Sequence, residues 1–222
     1  MFQSPEGAAA LLSATGEFSI NGQRLSAAAA ARVRRSVRAY TDEPITDDEI
    51  HTLLELTGRA PSAFNAQPWR FVVVRDEALK AQLSAAAFNQ KQVAQAPVVI
   101  VLYSDMEDTM AHLDTIVHPG LTPEQRDATI ERLRKTWGGM TMDARAEWGN
   151  AQANIALGYL LLLAQSEGFA TSPMLGFQPD AVKALLNIPA HARITSMVAL
   201  GRAADDGFPS HRLQLERITT FR

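Results

Sequence analysis

Residues 97–103 have the sequence Pro-Val-Val-Ile-Val-Leu-Tyr, a short apolar run in which β-branched residues are frequent. Such a run predicts a buried strand. Two further runs of this kind, residues 70–75 and 194–200, predict one strand before it and one after it. Helical patterns separate the runs without a regular β-α-β alternation. This arrangement favours an α+β fold over a doubly wound parallel sheet.

Capping signals mark where several of the predicted helices begin. Thr46 and Glu49 have the spacing of a capping box, in which each side chain accepts the backbone N–H of the other residue. Thr122 and Gln125 repeat this spacing, with a proline at the first helical position. The longest predicted helix is apolar and covers about residues 143–167. Three shorter helices are expected to begin at Ser26, Asp76 and Pro179.

The composition excludes several classes of protein. The chain contains no cysteine, which rules out a disulfide scaffold, a thiolate metal site and a cysteine nucleophile. Its formal net charge of -3 lacks the basic surplus typical of nucleic-acid-binding proteins. The N-terminus has no signal-peptide pattern, and the apolar run at residues 153–164 is shorter than the about 20 residues that a bilayer span needs. We therefore expect a cytoplasmic protein with neither a membrane nor a nucleic-acid partner.

The length predicts a single domain. At roughly 100–200 residues per domain, 222 residues correspond to one domain or at most two small ones. Residues 1–25 mix glycine with scattered apolar residues and are expected to form an N-terminal extension. Residues 26–222 show no repeat or linker, so we expect one domain that ends in a tail at about residues 207–222.

The common catalytic signatures are absent from the sequence. It contains no G-x-S-x-G, H-E-x-x-H, P-loop or G-x-G-x-x-G motif. His112, Asp114 and His118 match no metal-ligand spacing, so a polar loop is the favoured interpretation. The acidic residues at 105–108 are interpreted as a solvated loop rather than a cation site. No metal site is predicted.

The segment at residues 34–38, Arg-Arg-Ser-Val-Arg, is expected where a helix gives way to extended chain. Arg34 and Arg38 could converge on one anion, with the Ser36 hydroxyl as a further donor, because guanidinium groups match phosphate oxygens in pairs. A solvated basic patch is the alternative.

Two further segments are rich in hydrogen-bonding groups. The loop at residues 60–71 carries Ser62, Asn65 and Gln67 between two prolines, and its amides could face a heteroaromatic ring or simply satisfy local backbone. In residues 171–177, Pro173 and Gly176 favour a tight path with exposed backbone amides. An ordinary helix-to-helix connection is the alternative there.

Taken together, these segments resemble the FMN-dependent nitroreductase family. The similarity covers about residues 30–222 and rests on five motifs in the family order. They are R-R-S-x-R at 34–38, P-S-x-x-N-x-Q-P-W-x-F at 61–71, F-N-Q-K-Q-V at 88–93, S-P-M-x-G-F at 172–177 and S-H-R-L at 210–213.

The resemblance implies a role for the residues of each motif. Those that would hold the FMN phosphate, ribityl chain and pyrimidine edge are Arg34, Arg35, Ser36, Arg38 and, at the phosphate, Arg212. Those placed at the flavin pyrimidine are Asn89 and Gln92, the latter at a position where some relatives carry lysine. Those along the isoalloxazine, with backbone amides near N5, are Pro173, Met174, Leu175 and Gly176. Those contributed by a second subunit are Pro61, Ser62 and Asn65. No catalytic side chain is implied, because the chemistry takes place at flavin N5.

The resemblance also implies a central, mostly antiparallel sheet flanked by helices, in an intertwined homodimer. The helix at 143–167 would form the dimer core, and the tail at 213–221 would pair with the partner's sheet edge. The implied activity is NAD(P)H-dependent reduction of nitroaromatics or quinones by ping-pong hydride transfer through flavin N5. Another FMN reaction on the same fold, such as dehydrogenation or dehalogenation, and flavin binding without catalysis are the alternatives.

Residues 106–149 are implied to cover the substrate face. Candidates for its apolar wall are Trp137, Met140, Met142 and Trp148, and for each of them a place in the ordinary core is the alternative.

Overall fold

The structure, a computed structural model, describes residues 24–222. Its strands are β1 (Trp69–Val74), β2 (Val98–Ser104), β3 (Ala170–Met174) and β4 (Arg193–Gly201). They form one sheet in the order β1-β2-β4-β3, and every neighbouring pair is antiparallel. The predicted α+β fold with a mostly antiparallel sheet is confirmed.

Ten helices accompany the sheet within residues 24–222. In chain order they are α1 (Ala27–Val33), α2 (Asp47–Thr57), α3 (Glu77–Ala86), α4 (Lys91–Gln95), α5 (Met106–Ala111), α6 (Leu113–Ile116), α7 (Pro123–Gly138), α8 (Met142–Ser166), α9 (Pro179–Leu186) and α10 (Leu215–Ile218). The capping boxes at Thr46 and Thr122 both form, as predicted. No helix in this part of the chain is both long enough and apolar enough to cross a membrane.

The sheet is buried on both faces, which explains the unbroken apolar run of β2. Val99 and Val101 of β2 pack in a cluster with residues of α3, α4 and α9. Val98 and Ile100 point to the opposite face and pack with residues of α2 and α8. Successive side chains of a strand alternate between faces, so a strand covered by helices on both sides needs apolar residues throughout.

A separate hydrophobic cluster lies in the part of the chain that connects β2 to α8. Trp137 is fully buried at its centre, with its ring 5.2 Å from that of Trp148 and 6.1 Å from that of Phe64. In the single chain Trp137 is therefore a core residue. Met142, at the start of α8, is 53% exposed.

The described chain begins beside α8 and ends in a mostly exposed tail. Of the expected extension at residues 1–25, residues 1–23 lie outside the described part of the chain. Arg24 forms an ion pair of 3.0 Å with Glu167 at the end of α8. In the tail, residues 215–218 form the helical turn α10 in place of continuous extended chain. A strand needs a neighbouring edge to pair with, and in the single chain the tail is mostly exposed. Its pairing with a second copy stays a prediction.

Candidate functional site

Strand β3 connects the predicted site residues. The alternative interpretation of residues 171–177 as a helix-to-helix connection is wrong, because residues 170–174 form an edge strand. Pro173 is compatible with this position, since a proline lacks the N–H that a central strand would use. At one end of β3, Thr171 forms a parallel bridge with Ser36, and its carbonyl accepts the N–H of Val37 at 3.1 Å.

The backbone of the arginine segment is fixed on its other side as well. Tyr40 forms an antiparallel bridge with Ala203, beyond the end of β4. The Thr41 N–H donates to the carbonyl of Arg202 at 3.0 Å, and the Ala204 N–H donates to that of Ala39, also at 3.0 Å. The segment that follows α1 is therefore held between β3 and the chain that leaves β4.

All the predicted phosphate ligands line one cavity of about 280 Å³. Its walls are Arg34, Arg35, Ser36, Arg38 and residues 208–212, which include Arg212. Asp206 lies 3.8 Å from Arg35, which makes it an acidic partner at the margin of this cluster. The cavity brings the side chains of Arg34 and Arg38 together with Arg35 and Arg212, and their binding of a phosphate stays a prediction.

The described residues around Arg34 leave part of its charge and one of its nitrogens unbalanced. Its Nε is buried and has no hydrogen-bond partner among the described residues. Burial, and next the nearby charge of Arg212, lower the pKa of the Arg34 guanidinium below its ordinary value. A multiply charged anion in the cavity would offset the repulsion between the two cations. The arrangement fits a phosphate ester better than a solvated basic patch.

Gly207 brings the tail to the arginines, and sequence reasoning did not identify it. It has a φ of +60°, and its N–H donates to Asp205 Oδ1 at 2.9 Å. A Cβ at this position would lie 2.9 Å from the Ser36 carbonyl oxygen. Glycine is the residue that tolerates both the left-handed conformation and the close approach. The sequence Asp-Asp-Gly-Phe-Pro at 205–209 is a turn signal that could have located it.

Asn89 and Gln92 lie at the opposite end of β3. Asn89 has a φ of +58°, which asparagine tolerates better than most residues, and its N–H donates to the Ser84 carbonyl at 2.8 Å. Gln92 is 7% exposed, and its Nε2 lies 3.2 Å from the sulfur of Met174. The structure therefore brings Gln92 to the last residue of β3, and Asn89 lies three residues before it in the chain.

The turn after β3 presents two free backbone donors. The Phe177 N–H donates to the Leu175 carbonyl at 3.2 Å, so the chain reverses sharply around Gly176. Leu175 is 76% exposed. Within residues 24–222, neither the N–H of Leu175 nor that of Gly176 is engaged in a hydrogen bond. A flat acceptor on this surface could take both donors.

The proline-flanked loop is separate from this surface in the single chain. Asn65 Nδ2 donates to the Ile116 carbonyl at 2.9 Å, and the Ser62 Oγ accepts the Gln67 N–H at 3.0 Å. Gln67 Nε2 donates to the Asn65 carbonyl at 3.2 Å, which matches the alternative of local backbone bonding, whereas the Asn65 bond joins the loop to α6. Pro61 is exposed, and none of the three predicted residues of this loop lines the arginine cavity. Their contact with a cofactor held by a second copy stays a prediction.

Comparisons with known proteins agree with this geometry. A family model described as the Nitroreductase family matches residues 31–202, a range that contains four of the five motifs. The chain is 49% identical to an NADH dehydrogenase of Thermus thermophilus, over 89% of this chain and 97% of that protein. It is 27% identical to an FMN reductase (NAD(P)H) of Bacillus subtilis, over 83% of this chain and 68% of that protein.

The fold is also found among solved structures. A protein of Exiguobacterium sibiricum, crystallised in complex with FMN, matches with a TM-score of 0.82 and 29% identity. The match covers 90% of this chain and 99% of that protein.

Proposed function

Because this chain belongs to the nitroreductase family, we propose that it binds FMN along β3 and reduces an electron-poor acceptor, a nitroaromatic or a quinone, with electrons from NAD(P)H. The observation that carries this proposal is the arginine cavity, in which Arg34 Nε is buried without a partner. FMN is an elongated molecule with an anionic phosphate at one end and a ring with several acceptors at the other. The two ends of β3 offer the matching groups in that order.

The phosphate end supplies most of the affinity in this proposal. Arg34, Arg35 and Arg38 reach the cavity from the segment after α1, and Arg212 reaches it from the tail. Hydrogen bonds between guanidinium and phosphate are charge-assisted, and bonds of this type contribute about 1.5–3 kcal/mol each. The backbone bridges on both sides of the segment hold it in place before the ligand arrives.

The groups at the Met174 end of β3, the ring end of the site, set the orientation and the reduction potential of the flavin ring. When bound, FMN supplies a hydride acceptor at N5, and the chemistry belongs to the cofactor rather than to a side chain. The N–H groups of Leu175 and Gly176 donate toward the ring, and the amides of Asn89 and Gln92 face its pyrimidine.

A second copy of the chain completes the site. The loop with Pro61, Ser62 and Asn65 would contact the FMN held by the partner. Support for self-association comes from apolar side chains left on the surface. On α8 and in the tail they include Ile155, Tyr159, Leu213, Leu215, Ile218 and Phe221. We propose that they are covered in a homodimer, the tail by pairing with the partner's sheet edge.

Anaerobic titration of the FMN-loaded protein tests the activity. We expect NADH or NADPH to bleach the visible flavin absorbance and a quinone or nitroaromatic to restore it. The name of the Thermus thermophilus relative supports NADH as a donor. Steady-state rates should give parallel double-reciprocal lines, because donor and acceptor use one surface in turn. Flavin that stays oxidised with both nucleotides would show a protein that holds FMN without catalysis.

A further inference from the structure

We infer that Gln90 is a positioning residue, which holds the peptide after Gly176 so that the free N–H groups of the turn face the flavin ring. The inference rests on the proposed function, because it concerns the ring end of the same site. Gln90 lies in the F-N-Q-K-Q-V motif between two residues with implied cofactor contacts, and it has no assigned role of its own.

The Gln90 side chain joins the two segments of the ring end. Its Nε2 donates to the Gly176 carbonyl at 2.7 Å, and its Oε1 accepts Nε2 of Gln92 at 3.1 Å. Gln92 is in turn buried against the Met174 sulfur. One amide therefore connects the turn after β3 to the segment that precedes α4.

The starting point of this side chain is itself fixed. The Gln90 carbonyl accepts the hydroxyl of Ser84 at 3.1 Å and the N–H of Val93 at 3.0 Å. The Gln90 N–H donates to the Ala87 carbonyl at 3.2 Å. Because both its backbone groups are bonded, Gln90 can transmit the rigidity of α3 and α4 to the exposed turn.

Gly176 needs such a contact, since glycine has more backbone freedom than any other residue. Its carbonyl oxygen points to Gln90, so the peptide plane that it shares with Phe177 is fixed. The Phe177 N–H is thereby directed to the Leu175 carbonyl, and the N–H groups of Leu175 and Gly176 remain available to a ligand. Without the Gln90 donor the peptide can rotate and its bond to the Leu175 carbonyl is lost. The Gly176 N–H, which shares a peptide with that carbonyl, then loses its alignment.

This arrangement makes a signed prediction for the reduction potential of bound FMN. An aligned N–H stabilises oxidised N5, which is an acceptor, and does not stabilise reduced N5, which carries a proton. Loss of the alignment therefore destabilises the oxidised form and makes the potential more positive. The affinity for FMN should change little, because the arginines at the other end of β3 supply it.

Gln90→Met tests the inference, because methionine keeps the length of the side chain and removes its donor. Gln95→Met, at an exposed position of α4, is the matched control. Both are loaded with FMN, and the midpoint potential and the FMN dissociation constant are measured. We expect a more positive potential for Gln90→Met alone, with a dissociation constant within about threefold of the unaltered protein, or about 0.7 kcal/mol. Gln90→Ala should repeat the result without the bulk of methionine.

The outcomes separate the inference from the proposed function. If the unaltered protein binds FMN and Gln90→Met has an unchanged or more negative potential, the positioning role is wrong while the proposed function stands. If the unaltered protein does not bind FMN, the proposed function fails and the inference fails with it.

Discussion

The polar groups at the two ends of β3 differ in charge and in how far their hydrogen bonds are satisfied. At the Thr171 end, four arginines line one cavity, and one of them has a buried nitrogen with no partner in the described chain. At the Met174 end the side chains are neutral amides whose bonds close on one another, and the free groups are two backbone N–H donors on an exposed turn. The first end is arranged for affinity and the second for orientation.

This difference has a consequence for the apoprotein. Charges of one sign that are brought together and partly buried destabilise the folded chain until an anion arrives. Neutral amides that satisfy each other do not have this effect. The arginine end should therefore respond to substitution in ligand affinity, and the amide end in the properties of the bound ligand.

Removal of residues 207–222 should produce the largest effect, because it deletes Arg212 together with the tail. We expect monomers or aggregates and no FMN binding, measured by size-exclusion chromatography with light scattering and by visible absorbance. Removal of Arg222 alone is the control, since it leaves the cavity residues, α10 and Phe221 in place. A soluble, flavin-loaded dimer after the longer truncation would contradict both the phosphate role of Arg212 and the tail exchange.

Arg34→Ala should weaken FMN binding by about 1.5–3 kcal/mol, the range for a hydrogen bond to a charged group. Arg212→Ala should act similarly. The free energy of unfolding of the Arg34→Ala apoprotein should not fall, because burial and the charge of Arg212 already lower the pKa of this guanidinium. Fluorescence titration and denaturant unfolding measure the two quantities.

Arg134→Ala controls for the loss of an arginine as such. Its side chain is 61% exposed and pairs with Glu131 on the surface of α7. Neither FMN affinity nor stability should change measurably. Unchanged FMN affinity in both Arg34→Ala and Arg212→Ala would show that the cavity does not hold the phosphate.

Gly207→Ala should have a smaller effect, with two causes that act together. The left-handed conformation costs a residue with a Cβ about 1–2 kcal/mol. The new methyl group would also press on the Ser36 carbonyl and displace residues 208–212 from the arginines. We expect lower stability and weaker FMN binding. Gly138→Ala, where a Cβ would meet no atom within 4 Å, should lower neither the stability nor the affinity for FMN. Equal losses in the two variants would show that Gly207 has no special role at the cavity.

The sheet and most helices could be predicted from the sequence because their signals are local. Residues 98–102 are apolar throughout, and each capping box pairs residues three positions apart. The short helices α4, α5, α6 and α10 span too few residues to show a periodic pattern. Strand β3 was harder to identify, since its sequence Ala-Thr-Ser-Pro-Met contains a proline and becomes a strand by pairing with β4.

The site was predictable where residue type sufficed and not where contact depended on the fold. The arginines at 34–38 suggested an anion site by their chemistry, with a solvated basic patch as the alternative, and Arg212 was implied by the family resemblance. The roles of Gln90 and Gly207 depend on the carbonyls of Gly176 and Ser36, which lie far away in the sequence. The loop at residues 61–65 would act on the cofactor of another subunit, so a single chain gives no contact that could reveal it.

The most direct measurement is the affinity of the apoprotein for FMN compared with riboflavin, which has the same ring and ribityl chain but no phosphate. If the arginine cavity holds the phosphate, FMN binds at least about tenfold more tightly, or about 1.4 kcal/mol, and Arg34→Ala narrows the difference. Equal affinities for FMN and riboflavin, or no binding of either, would contradict the account.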